Sequence, residues 1–331
     1  MTKRLFAYAV SIAAVVTSLC APVVAQVTQT VQAAKSYNVE NATLSSLRWL
    51  KEKQNKDGSW GSNPTNRPAL TGLAILAYSF YGETVASKEF GVTVQKGLRR
   101  LLDDVESSKA DGRLGGVENE YISTEAIVTY ALAEAYGMTL MTLLREPTSN
   151  MTHRVIMSKS PNPIWAPVAV RTAKSSDFDS VSGDDMKRVF NACLSSVKGS
   201  NLLSRVSTAL ADMQLRLRLA DEVDEVIKMA HFDWNGHHES LPVLTWYFTA
   251  QVMYHRGGQT CWEKQNELLP TLYHNQQADG RFSIPVSKDG SGEKEKAMWG
   301  AADSDIYATS LFSILLGGRY CVDNPMTPHR L

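Results

Sequence analysis

The sequence lacks the features that mark several common functional classes. Its 34 basic and 34 acidic residues cancel, so no excess of positive charge is available to attract nucleic acid or an anionic membrane. No Ser-His-Asp pattern, phosphate-binding loop or glycine-rich dinucleotide motif is present. No segment alternates between apolar and polar residues as a half-buried strand does. These absences argue against nucleic-acid binding and nucleotide chemistry, and they favour an all-α fold.

Long apolar runs are missing as well, except near the start of the chain. There, two basic residues precede an apolar run from Leu5 to Leu19, and a small-residue cleavage site ends at Ala25. The run is too short to span a membrane comfortably, so the pattern predicts a cleavable signal peptide over residues 1–25. A loose tail is predicted for residues 26–40. We therefore expect an exported protein, periplasmic or secreted, with no integral membrane anchor.

Cysteine is scarce, and the three that follow the predicted signal peptide are Cys193, Cys261 and Cys321. Cys261 and Cys321 each follow a Gly-Gly pair by three residues. An oxidising compartment permits a disulfide between them. Equivalent positions in neighbouring repeats are, however, usually a helix pair apart, which is too far for a bond. The sequence leaves both outcomes open.

The most informative stretch that is present runs from Trp49 to Gly61, WLKEKQNKDGSWG. Its first residues continue an amphipathic helix, which Asp57-Gly58 ends because glycine readily adopts positive φ. Gln54 is placed to bond the backbone of this turn, and Trp60 is placed to fold back on the helix end. We call this order of Gln, Asp-Gly and an aromatic residue a clasp.

The clasp recurs along the chain. It is repeated with the same spacing in His274–Phe282, and a weaker copy in Lys109–Leu114 has Leu at the aromatic position. Each copy leads to an apolar helix with small residues. Repeated pairs of one amphipathic and one mostly apolar helix predict stacked helical hairpins. We assign them to one domain over residues 41–322, followed by a tail over 323–331.

The periodicity and the turn residues also predict where the individual helices lie. The expected segments are a first hairpin over 42–81, a second over 92–136 ended by Gly137, an outer helix over 151–157, an inner helix over 165–174, a helix from Ser182 to Gly199, one helix or a helix pair over 206–230, an inner helix over 241–255, an outer helix over 262–276 and a last inner helix over 307–316.

The clasp with Asp57-Gly58-Ser59-Trp60 resembles the QW repeat of squalene and hopene cyclases, which the β-subunits of protein prenyltransferases share in looser form. Tyr247–Met253 and Tyr130–Thr139 resemble exported bacterial proteins that carry these repeats. The resemblance covers most of residues 40–320. It implies an α/α toroid, a single barrel of about six hairpins with apolar helices inside and amphipathic helices outside.

In such a toroid the inner helices run in one direction, so the loops that enter them gather at one mouth of the central cavity. Those loops contain seven candidate residues: Glu118, Glu120, His237, His238, Glu239, Asp303 and Asp305. One interpretation is that the acids cap helix starts and complement the helix dipoles. Adjacent histidines do not share a helix face as an i, i+4 zinc pair does, so a metal site here would need ligands from several loops. We predict no metal and no cofactor.

The other interpretation of the mouth is acid catalysis by Asp303, Asp305, Glu118 and Glu120. Asp303-Ser304-Asp305-Ile306 partly resembles the aspartate motif with which terpene cyclases protonate an alkene. Ile306 stands where that motif has another aspartate. The chain length also corresponds to one toroid, whereas the cyclases have two.

The predicted inner helices carry large aromatic side chains. These aromatic residues are candidate ligand-binding residues: Trp165, Trp246, Tyr247, Phe248 and Tyr307. The three mouth residues His237, His238 and Glu239 are further candidates for ligand binding. The leading hypothesis is a module that binds an apolar, isoprenoid-like small molecule or a segment of a partner protein in its cavity. The alternative is an enzyme, terpene cyclase-like or carbohydrate-active, that uses the mouth carboxylates. A third hypothesis is a structural protein whose own side chains fill the cavity.

One loop departs from the repeat. Residues 283–303 form a Lys-, Gly- and Glu-rich insertion between the clasp at 274–282 and the last inner helix. Long loops of this kind are usually functional lids or disordered segments. We predict a mobile lid.

Overall fold

A computed structural model gives the fold of the chain. The residues that the structure describes are 38–110, 112–176, 178, 181–196, 201–215, 220–236, 241–286, 290 and 292–322. Within these ranges the fold is all-α, as predicted, and the β-type pairing consists of one isolated bridge between Glu118 and Ser123. None of the described helices is both long enough and apolar enough to cross a membrane.

The chain divides into two compact units, residues 1–41 and residues 42–331. In the first unit only residues 38–41 are described, and they are helical. The predicted signal peptide and most of the predicted tail lie outside the described residues, as does the C-terminal tail. Residues 38–41 are thus already part of the first helix, although the first hairpin was predicted to begin at residue 42.

The structure describes thirteen helices. Their bounds are α1 (38–52), α2 (Arg67–Phe80), α3 (Gly91–Ser107), α4 (Thr124–Thr139), α5 (Thr142–Met157), α6 (Trp165–Ser175), α7 (Gly183–Ser196), α8 (Leu202–Leu215), α9 (Ala220–Met229), α10 (Pro242–Arg256), α11 (Gln259–Asn275), α12 (Glu293–Trp299) and α13 (Ser304–Val322).

Two kinds of helix are distinguished by burial. Every residue of α2 from Pro68 to Ser79 is buried, and so is every residue of α10 from Pro242 to Met253. In contrast, α3 buries a single stripe and exposes charged residues on its other side, which is the pattern of a surface helix. The buried helices therefore form an inner layer and the amphipathic ones an outer layer.

The packing order links the inner helices to one another. Helix α2 packs on α4 and α13, α4 packs on α6, and α10 packs on α8 and α13. On the outside, α3 packs on α5, α5 on α7, and α9 on α11. The last inner helix of the chain is therefore a neighbour of the first.

The first clasp forms as expected. Gln54 Nε2 donates to the carbonyl oxygen of Gly58 at 3.0 Å and to that of Thr93, in α3, at 3.0 Å. Trp60 is fully buried, and its Nε1 donates to the carbonyl oxygen of Leu50 at 2.7 Å. The clasp therefore joins its own hairpin to the next outer helix.

The second clasp makes equivalent contacts. Gln276 Nε2 donates at 2.8 Å to the carbonyl oxygens of Gly280 and of Ala42, which belongs to α1. The backbone nitrogen of Phe282 donates to Thr309 Oγ1 at 2.9 Å, as that of Trp60 does to Thr71 Oγ1 at 3.0 Å. The last clasp in the chain thus binds the first helix of this unit.

Several predicted boundaries were wrong. Helix α4 continues through Gly137 and ends at Thr139, before Leu140 at φ +53°. Gly137 is instead a point of close approach, because a Cβ there would lie 2.6 Å from Ser176 Oγ. Helix α5 is nine residues longer at its start than the predicted 151–157, with Pro147 inside it. The insertion at 283–303 is not without structure, since it contains α12.

Candidate functional site

Asp303 lies at the start of α13 and is almost fully buried, with 1% of its surface exposed. Its carboxylate accepts hydrogen bonds from Ser62 N at 2.6 Å, Ser62 Oγ at 2.8 Å, Asn63 N at 3.2 Å and Asn66 Nδ2 at 2.8 Å. Burial alone would raise the pKa of Asp303, but the hydrogen bonds from Ser62, Asn66 and Asn63 outweigh it and hold the pKa below its ordinary value. Asp303 therefore ties α13 to the loop that enters α2.

The other mouth acids of the described region have partners of their own. Asp305 accepts from Arg281 Nη1 at 3.0 Å and from Ser283 Oγ at 2.9 Å. Glu118 Oε1 accepts from Glu125 N, in the first turn of α4, at 3.0 Å. Desolvation at this helix start raises the pKa of Glu118. Glu118 and Glu120 are both exposed. Asp303, Asp305 and Glu118 take part in separate hydrogen-bond networks, so the structure does not gather them into one acid cluster. His237, His238 and Glu239 lie outside the described residues.

The five candidate aromatic residues are all buried, with Trp246 the most exposed at 4%. Trp165 of α6 stacks on Tyr247 of α10 at 5.8 Å between ring centroids and meets Phe248 edge-on at 5.2 Å. These ring contacts bring α6 and α10 together.

A second group of rings surrounds Trp246. Its ring lies 5.6 Å from Phe232, 6.0 Å from Trp234 and 5.9 Å from Phe312, centroid to centroid. Tyr307 stacks on Trp299 of α12 at 4.8 Å. Rings from α10, α12 and α13 thus meet between the helices of the inner layer.

Polar atoms without a hydrogen bond lie on the same helices. Among the described residues, Thr245 Oγ1 and Ser310 Oγ are fully buried and have no partner. The Tyr247 hydroxyl and Trp299 Nε1 also lack a partner within hydrogen-bond geometry, although Tyr130 and Tyr307 lie near them. Each unsatisfied buried group costs about 1–3 kcal/mol. Among the described residues, Thr245 Oγ1 and Ser310 Oγ carry this cost in full.

Three charged or titratable groups that no sequence pattern singled out lie further along the inner helices: Glu134, Arg171 and His255. Glu134 of α4 is half-buried, and desolvation among the surrounding helices raises its pKa to about 7. Desolvation, and next the charge of Arg171 in α6, lower the pKa of His255 at the end of α10. The available signal was a charged residue inside an apolar helix, as in the segment YALAEAYGMT that holds Glu134.

The remaining expectations concern metals and cysteines. Within the described residues, no group of three or more His, Cys, Asp or Glu side chains is arranged to hold a metal ion. Cys261 is a buried free thiol, and the side chain of Cys321 lies outside the described part of the chain. The sequence matches no protein-family model, and no curated protein is significantly similar to it.

Proposed function

We propose that this chain is an exported α/α toroid that binds a mostly apolar small molecule, or an apolar segment of a partner, inside its inner helix layer. The ligand carries at least one hydrogen-bonding group. The proposal includes the squalene-cyclase-like and prenyltransferase-like repeat architecture. Export is supported by the leader pattern at residues 1–25.

The ring arrangement is supported by contacts between the two ends of the main unit. Helix α13 packs on α2, and Gln276 of the last clasp binds α1 just as Gln54 of the first clasp binds α3. Asp303 adds a third link, from α13 to the loop before α2. An open stack of hairpins has no reason to pair its last repeat with its first.

The observation that carries the binding proposal is the pair of orphaned hydroxyls on α10 and α13. Thr245 Oγ1 and Ser310 Oγ are buried on helices that pack on each other, and both lack a hydrogen bond. A small molecule with an apolar body and a polar group would satisfy them while it contacts the neighbouring aromatic rings. A buried hydroxyl without a hydrogen-bond partner reduces the stability of the fold. The structural hypothesis, in which side chains fill the interior, therefore does not explain these two hydroxyls, whereas ligand binding does.

The test is to expose the mature protein to lipid extracts and to identify retained species by native mass spectrometry. A matched variant, Thr245→Val/Ser310→Ala, removes both orphaned hydroxyls with little change in volume. We expect wild type to retain a ligand and the variant to retain at least tenfold less, because it loses the hydrogen bonds to the ligand but not the apolar contacts. Equal retention by both proteins would contradict the assigned site.

A second variant separates binding from catalysis. Asp303→Asn/Asp305→Asn keeps the apolar interior and removes two candidate catalytic carboxylates. We expect wild type and this variant to retain the same unaltered ligand. A converted product formed only by wild type would instead support the enzyme alternative, terpene cyclase-like or carbohydrate-active. Retention of nothing by any protein would favour the purely structural hypothesis.

A further inference from the structure

Helix α12 lies over the starts of four inner helices. Lys294 Nζ donates to the Tyr121 hydroxyl at 3.2 Å, just before α4, and lies 4.5 Å from the centroid of that ring. Asn66 Nδ2, just before α2, donates to the carbonyl oxygen of Trp299 at 2.9 Å. The third and fourth contacts, to α10 and α13, are made by Glu295. A short helix that touches four inner-helix starts covers the end at which these helices enter the interior.

Glu295 holds the cover in place through a buried carboxyl group. Its Oε2 accepts from Val243 N at 2.9 Å, and its Oε1 accepts from Leu244 N at 3.0 Å and from the Tyr307 hydroxyl at 2.7 Å. Glu295 is fully buried, and α10 has no side-chain cap of its own. The carboxylate therefore caps the start of α10 from another element of the chain.

The surroundings of this carboxylate contain little charge. Within the described residues, no ion pair involves Glu295, and the titratable group in contact with it is Tyr307 of α13. On α12 itself, Glu293 and Lys294 are exposed, Lys294 contacts Tyr121, and Lys296 is partly exposed. On α13, Asp305 contacts Arg281 and Ser283. Among the described residues, the hydrogen bonds to Glu295 thus come from two amides and one hydroxyl, without a basic side chain.

We propose that α12 is a latch over the entrance to the interior and that the protonation state of Glu295 controls its opening. The inference rests on the proposed function, because the interior it covers is the proposed binding site. In the closed form the carboxyl group is buried, and in the open form it meets water. Loss of its proton favours the open form, since a charged carboxylate is more stable in water than in this site.

The direction of the pH effect follows from the two forms. Burial raises the pKa of Glu295 in the closed form to about 7, and its hydrogen bonds only partly oppose this. In the open form the pKa returns toward its ordinary value of 4.5. The closed form therefore binds the proton more tightly, so opening increases as pH rises between these two values and is constant above them.

The test is amide hydrogen exchange of the mature, ligand-free protein at several values between pH 5 and pH 8. The reporters are peptides that contain Val243 and Leu244, with rates corrected for the intrinsic effect of pH on exchange. We expect the opening constant of wild type to rise roughly 50-fold from pH 5 to pH 7.5. Glu295→Gln should show no such rise, and Glu293→Gln, at an exposed position of the same helix, should behave as wild type.

A flat profile in wild type, or the same rise in Glu295→Gln, would overturn the latch. If Glu295→Gln does not fold, Tyr307→Phe is the variant that tests the latch. This substitution keeps the carboxyl group of Glu295 and removes a hydrogen bond that lowers the pKa of Glu295. The rise should then begin at the same pH but continue to a higher pH before it levels off, and an unchanged profile would count against the proposal. Since no ligand is added, failure of the latch and failure of ligand binding are distinguished by different experiments.

Discussion

The glycines of the two clasps lie where a side chain has no room. Gly58 has φ +87°, and a Cβ built on it would lie 2.4 Å from the carbonyl oxygen of Lys96 in α3. Gly280 has φ +94°, and its Cβ would lie 2.3 Å from the carbonyl oxygen of Ser45 in α1. Each clasp thus needs glycine for two reasons, the left-handed backbone and the close approach of the next outer helix.

These two reasons can be separated by substitution. Gly82 has φ +89° but faces open space, so Gly82→Ala incurs only the backbone strain. Gly58→Ala incurs the same strain and also displaces α3, and Gly58→Val adds a β-branched side chain. We expect thermal or denaturant unfolding to show a loss of about 1 kcal/mol for Gly82→Ala and about 2–4 kcal/mol for either Gly58 variant. Equal losses at the two glycines would show that the contact with Lys96 does not constrain the turn.

Glu134 offers a prediction about pH at the residue scale. Burial raises its pKa to about 7, so between its ordinary pKa of 4.5 and 7 the unfolded chain loses a proton that the folded chain keeps. Stability attributable to this group therefore falls as pH rises across that interval. Glu134→Gln should match wild type near pH 4 and be more stable by roughly 1–3 kcal/mol at pH 8. Chemical denaturation at both pH values measures this, with the exposed Glu146→Gln as a control that changes neither.

The role of a residue could be predicted from the local sequence where its hydrogen-bond partners are close to it in the chain. The roles of Gln54 and Trp60 could be predicted because the turn at Gly58 and the carbonyl of Leu50 are within ten residues of them. Glu134 and Glu295 could not be interpreted in this way. Their environments are made by α6, α10 and α13, so burial depends on packing that no local pattern encodes.

At the scale of elements, Asp303 links the start of α13 to the loop before α2. Its carboxylate accepts four hydrogen bonds, and its pKa is lowered in the folded protein. Asp303→Asn keeps one acceptor oxygen and removes the charge. We expect a loss of about 1–3 kcal/mol in the free energy of unfolding at pH 7, because buried donors lose a charged acceptor.

The same prediction has a pH signature. A lowered folded pKa stabilises the protein fully above the ordinary pKa of aspartate, and this stabilisation disappears as pH falls through the lowered value. The difference between wild type and Asp303→Asn should therefore shrink below roughly pH 4. Asp184→Asn, at a side chain that is 96% exposed, is the control and should be neutral at every pH. A difference that persists undiminished in acid would show that the charge of Asp303 is not responsible.

The predicted helix bounds were close to the observed ones where hydrophobic periodicity and turn residues agreed. They were wrong where a contact with a distant part of the chain determines the helix bounds. The bounds of α6, α10 and α11 lie within a few residues of the prediction. Helix α4 passes through Gly137, and the absence of a Cβ there makes room for Ser176. The prediction that this glycine ends the helix could not take a contact with a distant residue into account. Helix α12 was missed because its charged composition resembles a solvated loop, although Glu295 and Trp299 are buried.

For the whole molecule, the proposal depends on closure of the main unit into a ring. Three links join its two ends: α13 with α2, Gln276 with α1, and Asp303 with the loop before α2. Each is a contact between residues more than 200 positions apart. Sequence could suggest this arrangement only through the resemblance to toroidal repeats, because a hairpin repeat by itself is equally compatible with an open solenoid.

Closure is measured most directly as a distance between the first and last outer helices. Spin labels at two exposed positions, Arg48 on α1 and His274 on α11, report it by pulsed electron paramagnetic resonance in a background without the native cysteines. Because neighbouring helices pack about 8–10 Å apart, a closed ring predicts a single label separation of roughly 15–30 Å. An open stack of about six hairpins, spaced at that helix-packing distance, places the labels roughly 50 Å apart or more, and such a separation would contradict the account.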